Sequence, residues 1–154
     1  PDQAAVVIFN ERAMVTQELT GRGGDVEEAL AQIPRLVLEQ TRIDLGIEDA
    51  HRELTSARRK PGNRAVMIVL TDGLANPEPA STAVDRARAA KDDQITIFTI
   101  GLGRPEDLDV DELRQMASRP EYFYRAPDGE DLLAIYRAIA VELPCPGVRL
   151  WVRR

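Results

Sequence analysis

Ala65-Val66-Met67-Ile68-Val69-Leu70-Thr71-Asp72-Gly73 is the stretch on which the fold turns. Six consecutive apolar residues include the β-branched Val66, Ile68 and Val69, and the run stops at a hydroxyl, an acid and a glycine. A run apolar at every position predicts a central strand of a parallel sheet, buried on both faces, rather than a half-buried strand that alternates. The Thr-Asp-Gly ending predicts a turn.

Working outward, strand-like and helix-like patterns alternate. Upstream, Ala4–Phe9 is a short apolar run. It is separated by Asn10-Glu11-Arg12 from a second run, Ala13–Leu19, a spacing that predicts an antiparallel hairpin. Asp25 with Glu28 reads as a capping box opening a helix to about Ile33. Ile43, Ile47, Ala50 and Leu54 share one face of a helix predicted from Ile43 to about Ala57. Downstream, a loop at Asn76–Pro79 leads to a helix from Ser81 to about Lys91. A strand over Ile95–Ile100 ends in Gly101-Leu102-Gly103. Asp109 with Glu112 caps a helix to about Ser118, and Tyr122-Phe123-Tyr124 is a short strand. The last helix runs from Asp128 to about Leu143, with Leu132, Tyr136, Ile139 and Leu143 as its core stripe. Such alternation predicts an α/β fold: a Rossmann-like open, mostly parallel sheet with helices on both faces and an antiparallel edge strand. In such sheets ligands bind at the carboxyl ends of the strands.

Composition narrows the function. With 154 residues the chain suits one domain that can bury a core. Its 26 acidic residues outnumber 20 Lys and Arg, a net charge of −6 that argues against binding a nucleic-acid backbone. No apolar run reaches the roughly 18–20 residues that span a bilayer. A single Cys, Cys145, excludes an internal disulfide and a Cys-built zinc site. The single His, His51, lies in a helical pattern and reads as an ordinary surface or packing residue. Arg58-Arg59-Lys60 reads as solvating charge at a helix end. Gly101-Leu102-Gly103-Arg104-Pro105-Glu106 puts an acid where a dinucleotide fingerprint needs its third glycine. No phosphate-binding loop, nucleophile elbow or acid–base–nucleophile set is present, so no enzyme is expected.

Two residues stand out as metal-ligand candidates. Asp72 projects from a strand end, where a carboxylate can hold a hard cation or simply cap the next turn. Thr41 stands at a helix start, where its hydroxyl can cap the helix or approach a cation held by Asp72. One hydroxyl and one carboxylate do not complete an octahedral oxygen site.

Taken in order, these pieces resemble a von Willebrand factor A domain of bacterial type. Val6–Asn10 resembles the family's second strand. Thr41–Ile47 resembles its Gly-Thr-x-Ile segment, with Gln40 in place of the usual Gly. Val66–Gly73 with its Leu-Thr-Asp-Gly ending, and Ile97–Gly103 with its Ile-Gly-x-Gly ending, resemble the next two strand ends. Ile139–Pro146 is similar to endings of bacterial members. The resemblance covers about residues 3–143. Residues 1–143 therefore read as a partial domain and residues 144–154 as a Pro-flanked tail. Within the tail, Val148–Val152 alternates.

The resemblance implies a metal-ion-dependent adhesion site at the carboxyl edge, with Thr41 and Asp72 as two of its contributors. A bound Mg²⁺ or Mn²⁺ keeps one position for an acidic group of a protein ligand. The cation inverts the local field, so that an acidic domain binds an acidic partner. The chain departs from the family in lacking the Asp-x-Ser-x-Ser loop after the first strand, and that strand itself. It is expected to be a gene fragment or a chain that borrows a central strand from a partner. The resemblance leaves two alternative roles: a regulatory or scaffold subunit of an ATP-driven, chelatase-like complex, or a metal-free structural module. Family habit points to an extracytoplasmic place.

Overall fold

The computed structural model of the chain describes residues 2–33, 40–75 and 80–143. Strands β1 (Ala4–Phe9) and β2 (Ala13–Thr20) form the expected antiparallel hairpin, with Ile8 opposite Met14 and Phe9 opposite Ala13. Strands β3 (Val66–Thr71), β4 (Thr96–Leu102) and β5 (Phe123–Ala126) form a parallel sheet in the order β3-β4-β5. Five helices connect them: α1 (Gly23–Ala31), α2 (Ile43–Leu54), α3 (Ala80–Asp92), α4 (Val110–Met116) and α5 (Gly129–Glu142).

The alternation of side chains along β3 and β4 builds two cores. Met67, Val69 and Ile97 point to one face, where they meet Ile43 and Ile47 of α2, Ala83 and Ala87 of α3, and Leu113 and Met116 of α4. Phe98 and Ile100 point to the other face, where Ala126 of β5 and Ile139 of α5 join them. β4 is buried through its middle because it has a strand on each side and helices above and below. Its Thr99 is fully buried, and its hydroxyl donates to the Leu113 carbonyl at 2.9 Å, so the polar group is satisfied while tying α4 to the sheet.

β3 differs from its sequence expectation. It is not central among the described residues. It pairs with β4 only, β1 pairs with β2 only, and the two sheets share no ladder. Ile68 is consequently 39% exposed although its neighbours Met67 and Val69 are buried. The two open edges nevertheless belong to one layer. At one end, the Gln3 side chain accepts from Lys60 N at 2.7 Å and donates to the Arg58 carbonyl at 2.9 Å, tying the start of β1 to the loop before β3. At the other end, Arg42 N donates to the Asn10 carbonyl just past β1 at 2.8 Å. Between the edges is a cavity of about 350 Å³, walled by β1 and β3, floored by α2 and bordered by Leu143.

Helix ends correct several readings. α1 begins at Gly23 with Arg22 as its N-cap, three residues before the expected cap Asp25. Asp25 instead lies in the first turn, accepting from Thr20 Oγ1 at 3.0 Å and Arg22 Nε at 2.8 Å. α2 stops at Leu54, short of Ala57. Arg58 does not solvate its end: it grips the buried Glu53 carboxylate at 2.6 Å. Asp109 caps α4 as expected, accepting from Glu112 N, and Asp128, read as the first residue of the last helix, is the N-cap of α5, accepting from Glu130 N. On α5, Ile139 is buried but Tyr136 is 42% exposed, so the stripe is only partly core. Residues 76–79, read as a loop, and residues 144–154, read as a tail, lie outside the described residues.

Two glycines show how backbones approach. A methyl on Gly101 would stand 2.8 Å from Leu108 Cδ1 and 3.0 Å from Leu113 Cδ1, both in the packed core. A methyl on Gly46 would stand 2.5 Å from Phe9 Cδ1, 2.8 Å from its Cγ and 3.2 Å from its Cβ, close to the root of that side chain. Gly46→Ala is therefore expected to cost about 1–3 kcal/mol by overpacking, and Gly101→Ala, which meets only leucine methyl ends, no more than that. Urea melts of the two variants check the order; a clearly larger cost for Gly101→Ala would contradict it.

Candidate functional site

The carboxyl edge of the sheets gathers Asn10, the segment Gln40–Arg42, and the turn Thr71–Gly73. Arg42 N holds the Thr41 segment to the end of β1. Thr41 Oγ1 lies 3.7 Å from the point where a Cβ on Gly73 would stand. The structure thus brings Thr41 beside the turn that carries Asp72, across 30 residues of chain.

The bland role proposed for each residue is taken by a neighbour. The N-cap of α2 is Arg42, with no side-chain cap bond, and the Thr41 hydroxyl makes no hydrogen bond among the described residues. The turn after β3 is held by Thr71, whose hydroxyl donates to the Gly73 carbonyl at 3.2 Å and accepts from Gly73 N at 3.4 Å. Asp72 is exposed, and its carboxylate is engaged by no described group. Among the described residues, the Thr41 hydroxyl and the Asp72 carboxylate are both unengaged on this edge.

Charge beside this pair is arranged in closed pairs. Arg42 forms a two-pronged bond to Asp44, Nε to Oδ1 at 2.9 Å and Nη2 to Oδ2 at 2.8 Å. That guanidinium holds the buried Asp44 carboxyl below the usual carboxylate range, so it stays ionised and paired. Glu53 at the far end of α2 is held low in the same way by Arg58.

A third acid escaped the sequence reading. Glu112 reads from the sequence as the capping partner of Asp109, yet its side chain is buried, and Oε1 has no hydrogen-bond partner among the described residues. Burial, and then the nearby Asp109 charge, push its carboxyl up to about 7. The signal was faint: Glu112 precedes Leu113 on the short α4, and only the tertiary packing shows which side of that helix is inside. Gly101-Leu102-Gly103 likewise has structural work. Gly101 makes room for two leucines, and Gly103 turns with φ +111° while its N–H bonds the Ala126 carbonyl at 2.8 Å.

A hard cation requires about six oxygen ligands. Thr41 and Asp72 have the right donor chemistry but fall short in number. Among the described residues no group of three or more His, Cys, Asp or Glu side chains converges on one point. The pair alone does not make a metal site.

The sequence profile of the von Willebrand factor type A domain matches residues 1–138. The chain belongs to this family. Proximal thread matrix protein 1 from the mussel byssus is similar to the domain over 92% of this chain and 35% of its own, at 25% identity and a TM-score of 0.76. The chain thus spans about a third of that protein's length. A structure of the same mussel protein with a zinc-occupied MIDAS motif aligns at 26% identity and a TM-score of 0.77, covering 89% and 33% of the two chains. The vWF domain of the type V pili tip protein Mfa5 from Porphyromonas gingivalis shares the fold at 12% identity and a TM-score of 0.77, over 95% and 82%. No curated protein matches the chain.

Proposed function

We propose that this von Willebrand A domain is a recognition module that engages an acidic group of a protein ligand through a divalent cation. On this reading the role is binding, not catalysis. Thr41 and Asp72 are the oxygen donors this chain contributes. The remaining donors come from outside the described residues. The observation that supports the reading is that the Thr41 hydroxyl, unused by the fold, lies beside the turn that carries Asp72, whose exposed carboxylate is engaged by no described group. The zinc-occupied MIDAS motif of the mussel relative supports the cation. The pilus-tip and byssus relatives support a protein partner and a place outside the cytoplasm. The cation supplies a Lewis-acidic anchor; the chain's residues orient it and leave its ligand-facing side open.

The pair is tested with Mn²⁺ alone, because its paramagnetism reports even weak binding residue by residue. Titrating Mn²⁺ into the chain is expected to broaden the amide signals of Thr41 and Asp72 first, at millimolar concentration. Asp72→Ala removes an exposed side chain that the fold does not use. It is expected to leave stability unchanged and to weaken the broadening at Thr41 at least about tenfold, the scale of a lost contributor to a metal site. Broadening centred elsewhere, or unchanged in Asp72→Ala, would sink the assignment.

A further inference from the structure

Around β5 the chain carries positive charge that its own acids do not take up. Elsewhere arginines are engaged: Arg52, Arg86 and Arg88 on α2 and α3 each hold a carboxylate, as do Arg58 and Arg104. Arg114, Arg119 and Arg125 are exposed and form no ion pair among the described residues. Two of them lie over aromatic rings. The Arg114 guanidinium stands 5.4 Å from the centre of the Phe123 ring, and that of Arg119 stands 5.4 Å from the centre of the Tyr122 ring. A stacked guanidinium is held in place with its N–H edge still open, so less freedom is lost when a carboxylate binds. Asp111 and Glu121, the exposed acids that adjoin these arginines in sequence, pair with none of them. Asp128 is engaged as the cap of α5.

β5 is also an edge strand. It pairs with β4 alone, at the end of the order β3-β4-β5. Gly103 N donates to the Ala126 carbonyl, so Ala126 turns its backbone groups toward β4. Alternation points those of Tyr124 the same way and those of Phe123 and Arg125 outward. The side chains of Phe123 and Arg125 share one face of the strand. On that face Phe123 packs against the core built by α2, α3 and α4, and Arg114 of α4 reaches over its ring. Arg119 marks the other face, where Tyr122 packs with the α5 core.

We propose that the outer edge of β5 docks an extended acidic segment of a partner polypeptide, which pairs with the outward backbone groups of Phe123 and Arg125 and sets carboxylates on Arg114 and Arg125. The charge of the guest follows from the unpaired arginines, which stand out on a chain of net charge −6. Its polymer type follows from the edge, where main-chain bonds add affinity and side chains add specificity. Its length follows from β5, whose four residues, Phe123–Ala126, span about 13 Å at about 3.3 Å each. Acids at alternate positions of such a segment fall on one face, and that face is the one of Arg114 and Arg125. A second copy of the chain is a poor guest, because two β5 edges would set arginine against arginine. This inference uses neither Thr41 nor Asp72 and does not rest on the cation reading.

The test uses the full chain in EDTA, so that no divalent ion contributes. The probe is a fluorescein-labelled peptide with the core Glu-Val-Glu-Val-Glu-Val. One control, Lys-Val-Lys-Val-Lys-Val, reverses the charge. The other, Glu-Pro-Glu-Pro-Glu-Pro, keeps the acids and removes alternate N–H donors. Saturable binding is expected for the probe, and at least tenfold weaker binding for each control. Hydrogen exchange at the Phe123 and Arg125 amides should slow at least tenfold as the probe binds. The Tyr124 and Ala126 amides, which face β4, should change little. Arg114→Glu and Arg125→Glu, both at exposed positions, should keep the fold and each weaken binding at least tenfold. No saturable binding, slowed exchange centred on another strand, or unchanged binding in both variants overturns the proposal. Equal binding of the Pro peptide overturns it as well, and leaves only an anion-binding patch. So does an Arg125 amide already protected before peptide is added, which assigns the edge to another occupant.

Discussion

Unfolding free energy measured by urea titration at pH 5, 6, 7 and 8 is expected to fall with pH in the native chain, and to fall less in Glu112→Gln. The cause is the buried carboxyl of Glu112, whose pKa moves from 4.5 in the unfolded chain to about 7 in the fold. A raised folded-state pKa favours the fold while the group is protonated in both states. That contribution is fully present below about pH 4.5 and is lost as pH rises through 7. The difference between the two proteins should therefore open from about pH 4.5 and level off near pH 8, at about 3 kcal/mol. Glutamine keeps the size and removes the charge. Asp44 and Glu53 shift the other way, and their contributions are lost only as pH falls below the carboxylate range. The comparison with Glu112→Gln also cancels the His51–Asp93 pair at 2.7 Å, which is common to both proteins. Parallel pH curves for the two proteins would show that Glu112 is hydrated or partnered in solution.

Phe98→Ala is expected to destabilise the domain by about 4 kcal/mol, the range for deleting a fully buried aromatic side chain. Phe98 has no exposed surface. Its ring lies 4.2 Å from that of Tyr122, and it anchors the smaller core, where α5 meets the sheet through Ile139. Domains of this size are held by only about 5–15 kcal/mol, so the variant should lie near the edge of folding at 37 °C. Ile68→Ala serves as the contrast, with a cost below about 1 kcal/mol because its side chain already faces the open side of β3. Denaturation midpoints of the two variants decide it. Similar losses would mean that Ile68 is already covered in solution.

Much of the fold follows from local pattern. The apolar run at 65–70 and the β-branched-rich run at 95–100 read as strands, and the three-residue break at Asn10–Arg12 as a hairpin. Asp109 and Asp128 capped their helices because a short acid before a helix finds free N–H groups wherever it occurs. Asp25 failed the same rule: Thr20 and Arg22, brought near by the end of β2, claimed its carboxylate first. Helix ends shifted where a neighbouring element, not the helix, owned the terminal residues. Arg58 is the clearest case: its side chain, still about half exposed, turns back to pair with the buried Glu53.

The sequence by itself determined the strand and helix order, the family, and the two residues at the carboxyl edge whose types suit a hard cation. All of these rest on short-range periodicity and on residue chemistry that is written in the chain. Only the tertiary structure decided that Thr41 sits beside Gly73, that neither Thr41 nor Asp72 serves a cap, that Glu112 is buried, and that β3 pairs only with β4 among the described residues. These are contacts between segments distant in the chain. Burial, partner and pKa belong to the environment that the packed elements create around a residue, and no window of sequence contains that environment.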